Sequence, residues 1–190
     1  MAEDKIRLFL AISLAETYQH EIRKLINAFE SYSNQVKWVD DSHVHLTIHF
    51  FGSIESGRLE SIKILFRNLA LRFGPFDLYL KNLGAFPNLS RPRVIWVGLD
   101  GDLRELQDLK EACDLELVRI GYPIEEREFK PHLTLGRIRE GQKINLNIPG
   151  HLQNYFSEQK HHVKEIILFK SELSPKGPVY TALEKFPLQG

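Results

Sequence analysis

Two short runs carry the residue types of acid–base chemistry: His45-Leu46-Thr47-Ile48 and His132-Leu133-Thr134-Leu135. They lie 87 residues apart (132 − 45), close to half of the 190-residue chain. With eight histidines among 190 residues and threonine rarer still, chance supplies about 0.2 His-x-Thr triplets. Two copies, each with leucine in the middle and an aliphatic behind, form a signal that one copy would not.

The spacing has a physical meaning if each run is a strand. Side chains then alternate, so His45 shares a face with Thr47, and His132 with Thr134, while the aliphatics point to a core. Two imidazoles converging on one cleft suit general acid–base catalysis, because histidine's ordinary pKa near 6.5 lets one ring be neutral while the other is charged. The hydroxyls would hold oxygens on which negative charge builds. A phosphodiester fits this set, with in-line attack, an opposed leaving group and two oxygens between. No metal and no cofactor is required. A metal centre is the rival reading: strict alternation puts His43, His45 and His49 on one face with ligand-like spacing. Against it, that face carries no carboxylate or cysteine, and the second copy has only one histidine.

Several elements must position these residues. Helical periodicity marks Ile22, Leu25, Ile26 and Phe29; Ile62, Leu65, Phe66 and Leu69; and Leu106, Leu109, Cys113 and Leu117, the last opened by an Asp100-Gly101-Asp102 capping cluster. Cys113, inside an apolar stripe, reads as core. Strands are expected near Arg7–Ser13, Lys37–Val39, Val44–Phe51, Phe76–Lys81, Val94–Leu99, His132–Ile138, Val163–Ser171 and Val179–Phe186. The pattern gives an α+β protein with antiparallel sheets. The repeat divides it into two pseudo-symmetric lobes flanking a central cleft, with helices outside and residues 1–190 as one domain.

Composition narrows the classes. Basic and acidic residues balance at 25 each, so a polyanion would be gripped by a local patch and not by global charge. One cysteine excludes an internal disulfide framework and fits a cytoplasmic protein. No apolar run approaches the roughly 20 residues of a membrane span, and Leu8–Ala15 reads as a buried strand, not a signal peptide. A monomer is expected.

The duplicated motif resembles that of the 2H phosphoesterase superfamily, and within it the RNA 2′,3′-cyclic phosphodiesterases, also called 2′-5′ RNA ligases. Arg7–Ile12, Lys37-Trp38-Val39, Arg93–Gly98, Phe129–Arg137 and Leu168–Leu173 resemble further segments of that family. The resemblance implies hydrolysis of a 2′,3′-cyclic phosphate at an RNA end to a 2′-phosphate, with 2′-5′ ligation or RNA-end binding without turnover as alternatives. It implies His45 as proton donor to the leaving 3′-oxygen and His132 as the base that activates water. Thr47, Thr134 and Arg137 would bind phosphate. Relatives often carry Arg or Lys at position 49, where this chain has His49. His49 and Lys130 are possible substrate contacts, and Arg91, Arg93, Arg139, Lys170, Trp38, Phe51 and Phe86 are further candidates for gripping RNA. Arg137 lies five residues beyond His132, an odd offset. It therefore reaches the same face only if a bulge or strand end occurs at Gly136.

Overall fold

The computed structural model describes residues 4–123, 125, 127–175 and 177–190. Among the described residues, nine strands are interspersed with three α-helices: β1 (Lys5–Ser13), α1 (Ala15–Asn27), β2 (Val36–Trp38), β3 (His45–Glu55), α2 (Leu59–Ala70), β4 (Phe76–Phe86), β5 (Val94–Gly101), α3 (Leu103–Arg119), β6 (His132–Ile138), β7 (Phe156–Val163), β8 (Glu165–Ser174) and β9 (Gly177–Pro187).

The apolar positions account for these elements. Leu8, Leu10 and Ile12 of β1 enter the core at every second residue, as a strand requires. Ile22 and Leu25, then Ile62, Phe66 and Leu69, then Leu106, Leu109, Cys113 and Leu117 line the buried stripes of the helices, and Phe29 is buried just past the end of α1. Each fully buried leucine or phenylalanine contributes roughly 1.5–3 kcal/mol.

The strands pair in the order β7-β4-β5-β6-β3-β1-β8-β9, with β2 beside β6. Every pairing is antiparallel. The two motif strands, β3 and β6, meet through one register pair, Leu46 opposite Leu133. This narrow seam divides the sheet into a β7-β4-β5-β6 half and a β3-β1-β8-β9 half. The helices tie the halves together. Although α1 follows β1, it packs against β6 and β7 of the other half, and α3, which follows β5, packs against β3. Tyr18 of α1 donates its hydroxyl hydrogen to the carbonyl of Leu78 (2.5 Å) on β4.

Two expectations need correction, and one strand was not anticipated. The strand expected near Val163–Ser171 is β8, but it begins at Glu165, and Val163 ends the preceding strand β7. Strand β7 carries little apolar signal because it is an edge, recruited by backbone pairing with β4 and by Lys160 and His162 reaching Asp77 at 2.7 and 2.8 Å. The Asp102 side chain does not cap α3; it accepts instead from the backbone N–H of Asp77 at 2.8 Å.

Both motif strands are interrupted at the same place. On β3, Thr47 pairs with Ala11 and His49 with Leu10, leaving Ile48 as the extra residue. On β6, Thr134 pairs with Trp96 and Gly136 with Ile95, leaving Leu135 extra. Each bulge reverses which face the following side chains take. The reversal turns position 136 into the packing beneath β2, where an added Cβ would lie 2.6 Å from both Trp38 and Val36. Gly136→Ala should therefore lower stability by about 1–3 kcal/mol, a fall of several degrees in melting temperature. At Gly57 a Cβ meets nothing within 4 Å, and Gly57→Ala serves as the comparison that leaves the melting curve in place.

Candidate active site

The two halves close on a cavity of about 380 Å³. His45, Thr47, His132, Thr134 and Arg137 all line it, so residues separated by half the chain share one volume. The two imidazoles are held in the same way. His45 Nδ1 lies 2.8 Å from the carbonyl oxygen of His43, and His132 Nδ1 lies 2.6 Å from that of Lys130. A carbonyl only accepts, so Nδ1 carries the hydrogen in each ring, and Nε2 is the nitrogen available to the cavity.

Their surroundings differ. The His45 ring stacks on Phe9 at 4.8 Å and meets Tyr180 edge-on at 5.3 Å, with Phe169 behind at 6.4 Å. His132 meets Phe86 edge-on at 4.9 Å and Trp96 at 6.5 Å. Burial pulls the pKa of both rings below the ordinary histidine value. The Arg137 guanidinium adds to that shift in each, while the hydrogen bond to the carbonyl opposes it. One cation thus acts on both imidazoles.

Arg137 reaches the cavity because of the bulge at Leu135-Gly136, as the odd offset requires. The equivalent bulge in β3 has the opposite consequence for His49. The expectation that His43, His45 and His49 share a face fails at His49, which lines neither cavity. His49 faces the core, 8% exposed, with its Nδ1 3.5 Å from Asp114 on α3. The residue that turns to the cleft is Phe50, the counterpart of Arg137 at the 87-residue offset (137 − 50). The metal reading built on those three histidines loses its geometry.

His49, Cys113 and Asp114 do lie within 4.8 Å of one another. Lys110 already supplies the cation there, with its ammonium 2.6 Å from Asp114 and 2.7 Å from Glu125. Burial pushes the Cys113 thiol well above its ordinary pKa, which makes it a poor ligand and a poor nucleophile.

The other candidates divide. Trp38 lines the cavity, with its ring also tilted against Phe29. Phe86 stands beside His132. Phe51 turns to the core against His49, Phe66 and Tyr122 and offers no platform. Lys130 lines an adjoining cavity, while Arg91, Arg93, Arg139 and Lys170 line neither. Tyr180 and Lys37 were not anticipated, and both line the first cavity. Lys37 pairs with Arg137 across β2 and β6. Tyr180 arrives from β9 only through the β8–β9 pairing, and no local pattern marks it. His43, named above only in the metal reading, lines the cavity and supplies the carbonyl that holds His45.

Among the described residues, no helix is long and apolar enough to cross a membrane.

The fold and the paired motifs it carries point to a phosphoesterase. The LigT-like phosphoesterase family model matches twice, over residues 12–96 and 97–180, one match to each half of the repeat, and the chain belongs to that family. It is 35% identical to the RNA 2′,3′-cyclic phosphodiesterase of Methanothermobacter thermautotrophicus, over 97% of this chain and 100% of that one. The enzyme of the same name from Methanocaldococcus jannaschii is 33% identical over 95% of this chain and 100% of its own length. Among solved structures, Thermus thermophilus TT0787 superposes with a TM-score of 0.82 at 30% identity, covering 97% of this chain and 99% of its own. Escherichia coli LigT complexed with 3′-AMP gives 0.75 at 26% identity, covering 98% and 100%.

The electrostatics set a pH signature. Burial, reinforced by Arg137, lowers both histidines, so a form with one ring charged is populated only on the acid side of about 6.5. A bell-shaped kcat/KM profile for a cyclic phosphodiester should therefore peak below that pH. Arg137→Gln removes the repulsion, so both limbs should move to higher pH while kcat/KM falls; limbs that stay in place would sink this account of the shift.

Proposed function

We propose that the chain hydrolyses the 2′,3′-cyclic phosphate at an RNA end to a 2′-phosphate, by metal-independent acid–base catalysis between His45 and His132. One observation carries the reading: two imidazoles, each with Nδ1 tied to a carbonyl two residues back, line one cavity with two threonines and an arginine. The activity named for the relatives from Methanothermobacter and Methanocaldococcus supports it, as does the 3′-AMP found with the E. coli structure.

In this reading the cyclic phosphate sits between the rings. Neutral His132 accepts a proton at Nε2 from the water that attacks phosphorus. Protonated His45 gives its Nε2 proton to the departing 3′-oxygen. The P–O3′ bond breaks as the new P–O bond forms, and the ring opens to a 2′-phosphomonoester. Thr47 and Thr134 donate to the two non-bridging oxygens, and Arg137 offsets the charge that builds on them. The two protonation states exchange in each turnover, and a proton returning through water restores them. All these groups come from one chain, so the proposed site needs no second subunit.

The assay is incubation with a 2′,3′-cyclic nucleotide in EDTA, with products separated by chromatography. A 2′-nucleotide is the expected product, and a 3′-nucleotide would reverse the leaving-group assignment. His45→Ala and His132→Ala should each lower turnover by about 10²–10⁴-fold while the circular dichroism spectrum is retained. Wild-type protein that binds the nucleotide but never turns it over would reduce the site to a binding module, and loss of activity in EDTA would remove metal independence.

A further inference from the structure

A second cavity, of about 430 Å³, adjoins the first and shares Thr47, His132, Thr134 and Arg137 with it. The two are related by the repeat. The first is lined by the segment leading into His45, including Trp38 and His43; an 87-residue shift carries positions 38 and 43 to 125 and 130, and Glu125 and Lys130 line the second. Each is large enough for a nucleotide-sized ligand, since small-molecule sites run from about 300 to 1,000 Å³. The reacting phosphate of the proposed reaction lies over the floor that the two cavities share.

The second cavity has its own chemistry. Phe50 is 49% exposed and lines it together with Phe129. The Arg7 guanidinium stands 4.8 Å from the Phe50 ring centroid on β1. Arg127 and Lys130 add positive charge to the wall. Two glutamates also line it, and both are engaged: Glu128 with Lys130 at 3.1 Å, and Glu125 with the buried Lys110 at 2.7 Å. Aromatic faces interleaved with cations are the surface on which nucleic-acid bases stack while their phosphates are neutralised.

We propose that this cavity is a subsite for a second nucleotide unit, its base on Phe50 and its phosphate toward Arg127. The proposal rests on the reading of the shared centre as a phosphodiesterase site. The unit is chemically the same whether it is the preceding residue of the strand that bears the cyclic phosphate or the 5′-hydroxyl end of a second strand.

The test compares kcat/KM for a dinucleotide with a 2′,3′-cyclic end against the matching mononucleoside 2′,3′-cyclic phosphate. Stacking of one base predicts a preference of about tenfold for the dinucleotide. Phe50→Ala and Arg127→Ala should each bring that ratio close to one, whereas Phe156→Ala, on the distant edge strand β7, leaves it unchanged. A second arm adds a 5′-hydroxyl dinucleotide to the mononucleotide reaction. Inhibition or joining that disappears in Phe50→Ala assigns the subsite to a second strand, and a ratio effect alone assigns it to the same strand. A wild-type ratio of one, with no Phe50-dependent effect of the added dinucleotide, overturns the subsite. Calorimetric binding of a dinucleotide and a mononucleotide, both ending in a 2′-phosphate, reads the subsite without turnover. Failure of hydrolysis with a Phe50-dependent binding difference would thus strike the proposed reaction alone, and equal affinities would strike the subsite.

Discussion

Each imidazole is oriented by a hydrogen bond from its Nδ1 to the carbonyl two residues earlier in the chain, and the proposed acid–base chemistry depends on it. A strand decides which face a histidine takes, but not how its ring rotates or which nitrogen carries hydrogen. The carbonyls of His43 and Lys130 settle both. They belong to the segments that enter β3 and β6, so loop conformation, not strand pairing, fixes the tautomer. Rings that stack on or abut the imidazoles then hold the planes: Phe9 and Tyr180 on one side, Phe86 and Trp96 on the other. The same rings exclude water, and the lowered pKa values follow from this packing.

The repeat supplies symmetry, and the departures from it supply direction. Two bulges at equivalent positions turn Phe50 and Arg137 toward the cleft and His49 and Gly136 toward the core. Of the two that face the cleft, only Arg137 is charged. These two equivalent positions therefore place one permanent cation at the shared floor, where perfect duplication would give two or none. On the core side, His49 has α3 beside it, whereas position 136 lies under Trp38 and Val36 and admits no side chain. A duplicated backbone with unlike residues at its equivalent points lets two chemically identical imidazoles occupy different environments, which an acid and a base require.

Much of this was legible in the chain because it rests on local rules. Alternation placed His45 with Thr47 and His132 with Thr134, and the helical stripes at 22–29, 62–69 and 106–117 foretold the buried faces. The bulge was legible at Gly136, where an odd offset and a glycine coincide. It was not legible at Ile48-His49, where nothing in the residues marks a break, so strict alternation put His49 on the wrong face and Phe51 in the cleft. Strand β7 escaped notice because an edge strand is held by backbone pairing and surface charge and needs few apolar side chains. Tyr180 is 135 residues from His45 (180 − 45). Only the pairing of β8 with both β1 and β9 brings it there, and that information is non-local.

The charge balance of the site joins the proposed acid–base pair to its substrate. With Arg137 beside two buried imidazoles, adding a proton to either ring places like charges together in a poorly solvated space. The empty site therefore favours neutral rings. A phosphodiester brings one negative charge to the same place. It offsets Arg137 and turns the field at both Nε2 atoms from repelling a proton to attracting one. By linkage, whatever favours phosphate binding also favours protonation of a ring, and the reverse holds with the same free energy. The acid need not be stored in the free enzyme, because the anion that requires it is also the group that raises its pKa. On this argument the asymmetry at positions 50 and 137 is a condition of the chemistry: a second arginine at position 50 would leave a net positive charge after the phosphate had bound, and the proton for the leaving oxygen would be harder to hold.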